Sequence, residues 1–187
     1  MNGALIFVAI LVVLLFWLIS VYNDLIAKRN QVKNIRAGVF TQLKKRYDLI
    51  PNLVSTVKEY LTHEKEVLTK VTELRSRAIN SNDNKETFDL NSQISKLLGN
   101  IQVAIEAYPN LKANENVMHL QATLTEIEEQ ISAARRAYNS SVMVYNNTIE
   151  MFPSNIIANF FKFEKDAFFE IETDEKASPN VSELFKK

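Results

Sequence analysis

The chain has 187 residues, with 22 Lys+Arg balanced by 22 Asp+Glu, no cysteine, three glycines and four prolines. Neutral charge removes the general electrostatic argument for nucleic acid as a partner. The lack of cysteine excludes disulfides, thiol nucleophiles and thiolate-bound metals. So little glycine and proline disfavours sheet proteins and glycine-rich phosphate loops, and the expected fold class is all-α.

The first element is an unbroken apolar run, Ala4 to Ile19, extended past Ser20 by Val21 and Tyr22. About 18 helical residues at roughly 1.5 Å each match the hydrocarbon thickness of a bilayer. A cleaved signal peptide would begin with basic residues and end at a small-residue cleavage site. "MNG" carries no basic side chain and "LISVYNDL" offers no such site, so residues 1–22 are predicted to be a retained transmembrane anchor. No Lys or Arg precedes the span, whereas Lys28, Arg29, Lys33 and Arg36 follow it. The positive-inside rule then predicts a single-pass protein of the cell membrane with its N-terminus outside and its C-terminal domain cytoplasmic. The same four side chains are candidate lipid contacts, each attracting anionic headgroups by about 1 kcal/mol.

Leu25, Val32, Ile35, Val39, Leu43 and Tyr47 recur at helical spacing, which predicts a helix over 23–47 continuous with the span. Asp48 is an expected cap, with Pro51 in the first turn of a helix over 49–79. The stripe of that helix is Leu53, Val54, Val57, Leu61, Leu68, Val71, Leu74 and Ala78. The polar run "NSNDNKE" reads as a loop. A third helix over 87–107 carries Ile94, Leu97, Leu98, Ile101, Ala104, Ile105 and Tyr108, with Gly99 inside it as a point of close packing.

Pro109 breaks that pattern, and Asn114 is an expected cap for a fourth helix over 115–152. Val117, Leu124, Ile131, Tyr138, Tyr145 and Phe152 recur every seven residues there. Leu120, Ile127, Ala134, Ser141 and Thr148 form the complementary column, as in a helix packed antiparallel in a bundle. After Pro153, with Ser154 as cap, a short helix covers 155–161. The expected organisation is an anchor at 1–22, a cytoplasmic bundle of about four long helices at 23–169, and an acidic, loosely ordered tail at 170–187. The phenylalanines at 160, 161, 163, 168 and 169 are expected to pack on the bundle, with weak strand character at "AFFEIET".

Chemistry-bearing groupings are few. His63 and His119 lack partners at metal-ligand spacing, and no glycine-flanked serine elbow occurs. Glu126, Glu128 and Glu129 could serve acid–base or metal work. Helical di-metal sites want inward Glu-x-x-His pairs, however, so a solvated face is the reading preferred for these three. The repeated Tyr-Asn at Tyr138-Asn139 and Tyr145-Asn146 is read as a structural network that sets helix register, because buried tyrosine hydroxyls need partners; a partner-protein surface is the alternative. Pro-Asn-Leu occurs at 51–53 and 109–111. If both copies are turns at one end of an alternating bundle, Tyr47, Asp48, Asn52, Tyr108, Asn110, Lys112 and Asn114 would form one composite interaction surface.

Read together, "YNDLIAKRNQV", "QLKKRYDLIPNLV", "EAYPNLKANENVMHLQ" and "IEEQISAARRAYNSSVMVYNNTIEMFPSNIIA", followed by a phenylalanine-rich close, resemble the LemA family over residues 22–169. The resemblance implies a bacterial single-span membrane protein with a soluble bundle of long helices and no assigned enzymatic activity. One type of relative is associated with magnetosome membranes, which suggests membrane organisation. The chain departs from the family at Ala37, Gly38 and Phe40. The expected function is therefore a non-enzymatic membrane-anchored scaffold or protein-interaction module. A carboxylate- or metal-dependent enzyme and a lipid-responsive envelope factor are the alternatives. No cofactor, metal or nucleic acid is expected. The expected partners are membrane lipid, through the span, and other proteins, further copies of the chain included.

Overall fold

The structure is a computed structural model that describes residues 2–169. The expected acidic tail at 170–187, and most of the expected strand at 167–173, lie outside the described residues. Six helices follow in order: α1 Asn2–Val57, α2 Lys65–Asn80, α3 Asn84–Glu106, α4 Pro109–Lys112, α5 Glu115–Glu150 and α6 Ser154–Phe160. No strand occurs among the described residues, and the protein is all-α, with an apolar N-terminal helix running on into a helical bundle.

From Leu5 to Ile19 every large apolar side chain of α1 is exposed. A core helix would hide that surface; this segment is long and apolar enough to cross a membrane and is not buried by the described residues. Beyond it the helix carries two columns. Leu25, Val32, Val39, Arg46 and Leu53 recur every seven residues and are all buried. Tyr22, Arg29, Arg36, Leu43, Ile50 and Val57 form the other, its first three members only part-buried.

The turn expected at Asp48–Pro51 is absent, because α1 passes through Pro51 and ends at Val57. A proline inside a helix has no N–H for the carbonyl four residues back, here that of Tyr47, and such a site costs about 3 kcal/mol. Arg75 of α2 fills the gap: its Nε donates to the Tyr47 carbonyl at 2.6 Å. Replacing Arg75 by Met is expected to cost about 1–2 kcal/mol, the cost of a buried acceptor left unpaired. In a Pro51→Ala background the helix supplies its own donor, and the same replacement is expected to cost less than half as much. Thermal melts of the four variants give the coupling; equal costs in both backgrounds would refute this role.

Consequently the second helix starts at Lys65 rather than residue 49, after a turn over 58–64 pinned by buried Leu61, whose N–H bonds the Val57 carbonyl at 2.9 Å. Asp83 caps α3, accepting from the Lys85 N–H at 3.0 Å, so that helix starts at Asn84 instead of residue 87. Asn114 caps α5 through its side-chain oxygen, which accepts from the N–H groups of Asn116 and Val117 at 3.0 and 3.4 Å. A Cβ added at Gly99 would meet nothing within 4 Å, so no close packing depends on that glycine.

The chain forms two compact units. One comprises Met1–Thr41 and Ser132–Phe168; the other comprises Gln42–Ile131 and, of the described residues, Phe169. In the first, α5 lays down Tyr138, Val142, Tyr145 and Ile149 as buried residues. The seven-residue column fails at Phe152, which is 79% exposed beyond the helix end. Ser154 is the first residue of α6 rather than its cap; its hydroxyl donates back to the Thr148 and Met151 carbonyls at 2.6 and 2.8 Å. In the second unit, α2 and α3 form a hairpin around Leu68, Val71, Leu74, Phe88, Ile94 and Ile101. Phe169 stacks on Phe88 at 4.1 Å, 8° from parallel.

Candidate functional site

Polar side chains concentrate in both compact units. In the second unit the centre is Arg46, fully buried in the α1 seam. Its Nη1 donates to the Ser95 hydroxyl at 2.6 Å and to Glu128 Oε1 at 2.8 Å. Its Nη2 donates to the Asn91 carbonyl at 3.2 Å and to the Asn91 side-chain oxygen. The Ser95 hydroxyl in turn donates to Glu128 Oε2 at 3.0 Å. Asn91 passes the chain of bonds on, its amide donating to the Tyr47 hydroxyl at 2.5 Å and the Thr87 carbonyl at 2.7 Å. Three helices, α1, α3 and α5, are thereby cross-linked through one guanidinium, whose planar fork suits several acceptors at once.

Two sequence expectations change here. Glu128 does not lie on a solvated face: its side chain is 31% exposed and bound to Arg46, whereas Glu126 and Glu129 are exposed as expected. Tyr47 is not on a surface but buried against Asn91. The other members of the expected composite surface have local roles. Asp48 is exposed and pairs with Lys44 at 3.3 Å, and the Asn52 carbonyl accepts from the hydroxyls of Ser55 and Thr56. The Tyr108 hydroxyl reaches Glu64 at 3.5 Å; Lys112 pairs with Glu106; Asn110 is exposed; Asn114 is the α5 cap. The premise that joined them, a turn at residue 48, is gone.

In the first unit, Arg29, Lys33, Arg36, Tyr145, Lys162, Glu164, Lys165 and Asp166 surround a polar cavity of about 320 Å³. The chain after α6 runs extended across α5. Asn146 grips it at both backbone groups of one residue, donating to the Asp166 carbonyl at 2.9 Å and accepting from the Asp166 N–H at 3.0 Å. The Tyr138 hydroxyl donates to the Ala167 carbonyl at 2.9 Å. Arg36 pairs with the Asp166 carboxylate at 2.5 Å and lies 5.8 Å over the Tyr138 ring. Arg29 lies 5.2 Å over the Phe163 ring. Of the four expected lipid contacts, Arg29 and Arg36 thus turn inward, Lys28 pairs with Asp24 at 2.5 Å, and Lys33 is exposed.

The phenols report how dry these clusters are. Burial pushes Tyr47 above its ordinary 10.0, against the Asn91 bond and the nearby Arg46 charge, which pull it down. Burial likewise raises Tyr138 and Tyr145, opposed by Arg36 and Arg29 respectively and reinforced by Asp166. A phenol whose folded pKa exceeds its unfolded one stabilises fully below the unfolded value. That contribution is lost as pH rises through the folded value, because the unfolded chain gives up its protons first. Melting temperature is therefore expected to be level across neutral pH and to fall above about pH 10. Tyr47→Phe and Tyr138→Phe should flatten that fall, and an unchanged alkaline slope in both would contradict it.

Sequence reasoning missed Arg46, Arg29 and Arg36 as interior residues. The signal was present: Arg46 shares a seven-residue column with Val39 and Leu53, and the other two share theirs with Tyr22 and Leu43.

A helix long and apolar enough to cross a membrane, leading into a helical bundle with polar cross-links, is the architecture of a membrane-anchored helical protein. The LemA family pattern matches residues 36–182, and the chain belongs to that family. Protein LemA of Metamycoplasma hominis is 27% identical over 163 residues, spanning 87% of this chain and 74% of its own. Magnetosome proteins MamQ 1 and MamQ 2 of Paramagnetospirillum magneticum are each 22% identical over 195 residues, spanning 89% of this chain and 72% of theirs.

Proposed function

We propose that this protein is a single-pass scaffold of the bacterial cell membrane, with its N-terminus outside and its helical region in the cytoplasm, where it binds other proteins. The observation that carries this reading is the unbroken run of α1 from exposed apolar surface into the buried columns ending at Val57, which fixes a folded region to an anchor with no intervening linker. The excess of Lys and Arg just after the span supports the orientation. The engagement of Glu128 by Arg46 and Ser95 weighs against the carboxylate-enzyme alternative, since that carboxylate is committed to holding helices together.

Asp48 and Asn52 on α1, and separately Asn110 and Lys112 on α4, are exposed and are the positions proposed to meet a partner, without the shared turn that would have made them one surface. Photo-crosslinking residues at these sites in the full chain, in living cells, test it. Site-dependent adducts of discrete mass are expected. No adduct at any of the four, with the protein correctly in the membrane, would overturn this assignment of the surface.

A further inference from the structure

The apolar surface of the first unit does not end with the span. After α5, exposed Met151 and Phe152 lead into α6, whose Ile157 and Ala158 are buried while Ile156 is 59%, Phe160 79% and Phe161 53% exposed. Water would disfavour so dense a cluster of large apolar groups, and patches of this kind on a soluble face mark interaction sites. What they interact with follows from where they sit. Leu15, Leu18, Ile19 and Tyr22 of α1 form one wall of a groove of about 490 Å³, and Ile156, Ile157, Phe160 and Phe161 form the other, almost without polar lining. The Phe161 ring meets that of Tyr22 at 4.7 Å, and Phe163 meets it at 5.9 Å. The first wall is the end of the span itself, so whatever surrounds the span fills the groove.

We propose that Met151–Phe161 is a second membrane-embedded element, a foot that lies in the leaflet where the span ends and inserts Phe152, Ile156, Phe160 and Phe161 among lipid acyl chains. The inference rests on α1 crossing the bilayer. Leu15 and Tyr22 are seven residues apart, about 10 Å of helix, so α6 lies beside the last stretch of the span, at the depth where interfacial helices bury their apolar faces. Aromatic rings favour that depth. Charged side chains fall where the headgroups would be: Lys162, Glu164 and Lys165 follow the foot directly, Lys165 being paired with Glu150, and Lys33 is exposed on α1 beyond Tyr22. The foot also gives the exposed Phe152 a role that a bundle seam could not.

Because the chain has no cysteine, single-cysteine probes report one site each. The full chain is reconstituted in phosphatidylcholine–phosphatidylglycerol vesicles with an environment-sensitive fluorophore at Ile156→Cys or Phe160→Cys. Val12→Cys reports the span and Glu66→Cys the exposed face of α2. At 156 and 160 the emission is expected to shift to the blue and to be quenched by lipids spin-labelled near the headgroup end of their acyl chains. Position 12 should be quenched best by deep labels, and position 66 by neither. Water-like, unquenched probes at 156 and 160 with position 12 still quenched would overturn the foot and leave the anchor standing. A blue shift without quenching would also overturn it, since protein rather than lipid would then cover the face. Loss of quenching at position 12 as well would reject the anchor itself.

Discussion

Arg46→Ala is expected to destabilise the helical region by about 3 kcal/mol, at the lower end of the cost of breaking a buried ion pair. The substitution strands Asn91, which is 1% exposed, together with the larger part of Glu128, whose side chain is 31% exposed. It also removes the bonds by which α1 holds α3 and α5. The expected value lies at the low end for two reasons. Glu128 is partly hydrated, and the buried Arg46 Nε has no hydrogen-bond partner among the described residues, so the network is incomplete before anything is removed. A chain of this size loses about 2–4 °C of melting temperature per kcal/mol, so a fall near 10 °C is expected by circular dichroism in detergent micelles. Glu128→Gln keeps an acceptor and should cost only about 1 kcal/mol. Replacing Arg46, Asn91 and Glu128 together by Met, Leu and Leu should recover part of the loss, because apolar side chains of similar volume remove the stranded Asn91 and Glu128, although the Tyr47 hydroxyl then lacks its Asn91 partner. An Arg46→Ala protein that melts with the parent would show that the guanidinium is not holding the helices.

The second large effect lies at Asn146. Asn146, 8% exposed, satisfies both backbone groups of Asp166 with its side chain. Asn146→Ala leaves a backbone N–H and a carbonyl unpaired in a part-buried site, at about 1–3 kcal/mol. Asp166→Asn removes only the ion pair with Arg36, whose members are 19% and 26% exposed, and should cost about 1 kcal/mol or less. Hydrogen exchange separates the two. In Asn146→Ala the Asp166 amide should exchange about tenfold faster or more, each 1.4 kcal/mol being a factor of ten, and in Asp166→Asn it should be nearly unchanged. The reverse order would mean that charge, not the amide clamp, holds this segment.

These two residues also show how much could be read beforehand. The α5 seam was legible from Val117 to Tyr145 because apolar side chains at a seven-residue spacing report directly which face is buried. Asn146 was half legible: buried tyrosines need partners, so a structural Tyr–Asn network was expected, but its second half is the backbone at Asp166 and Ala167, which no side-chain pattern announces. Arg46 was overlooked although it shares a column with Val39 and Leu53, because the groups that satisfy it, on Asn91 and Glu128, lie 45 and 82 positions away. Pro51 misled for the same reason. Local chemistry makes it a helix start, and only a donor from α2 lets the helix pass. Pattern reading therefore succeeded where burial is apolar and periodic. It failed where a polar group is satisfied across the fold, which is also where the expected surface around Tyr47 came apart.

On this reading α1 holds a folded region on one side of a membrane. Protease added to spheroplasts expressing the full chain with an epitope after Lys187 tests this directly. The epitope-bearing fragment is expected to stay intact until the membrane is permeabilised, and to remain in the membrane pellet through an alkaline carbonate wash. Digestion of the helical region in sealed spheroplasts, or its release by the wash with residues 1–22 still attached, would contradict it.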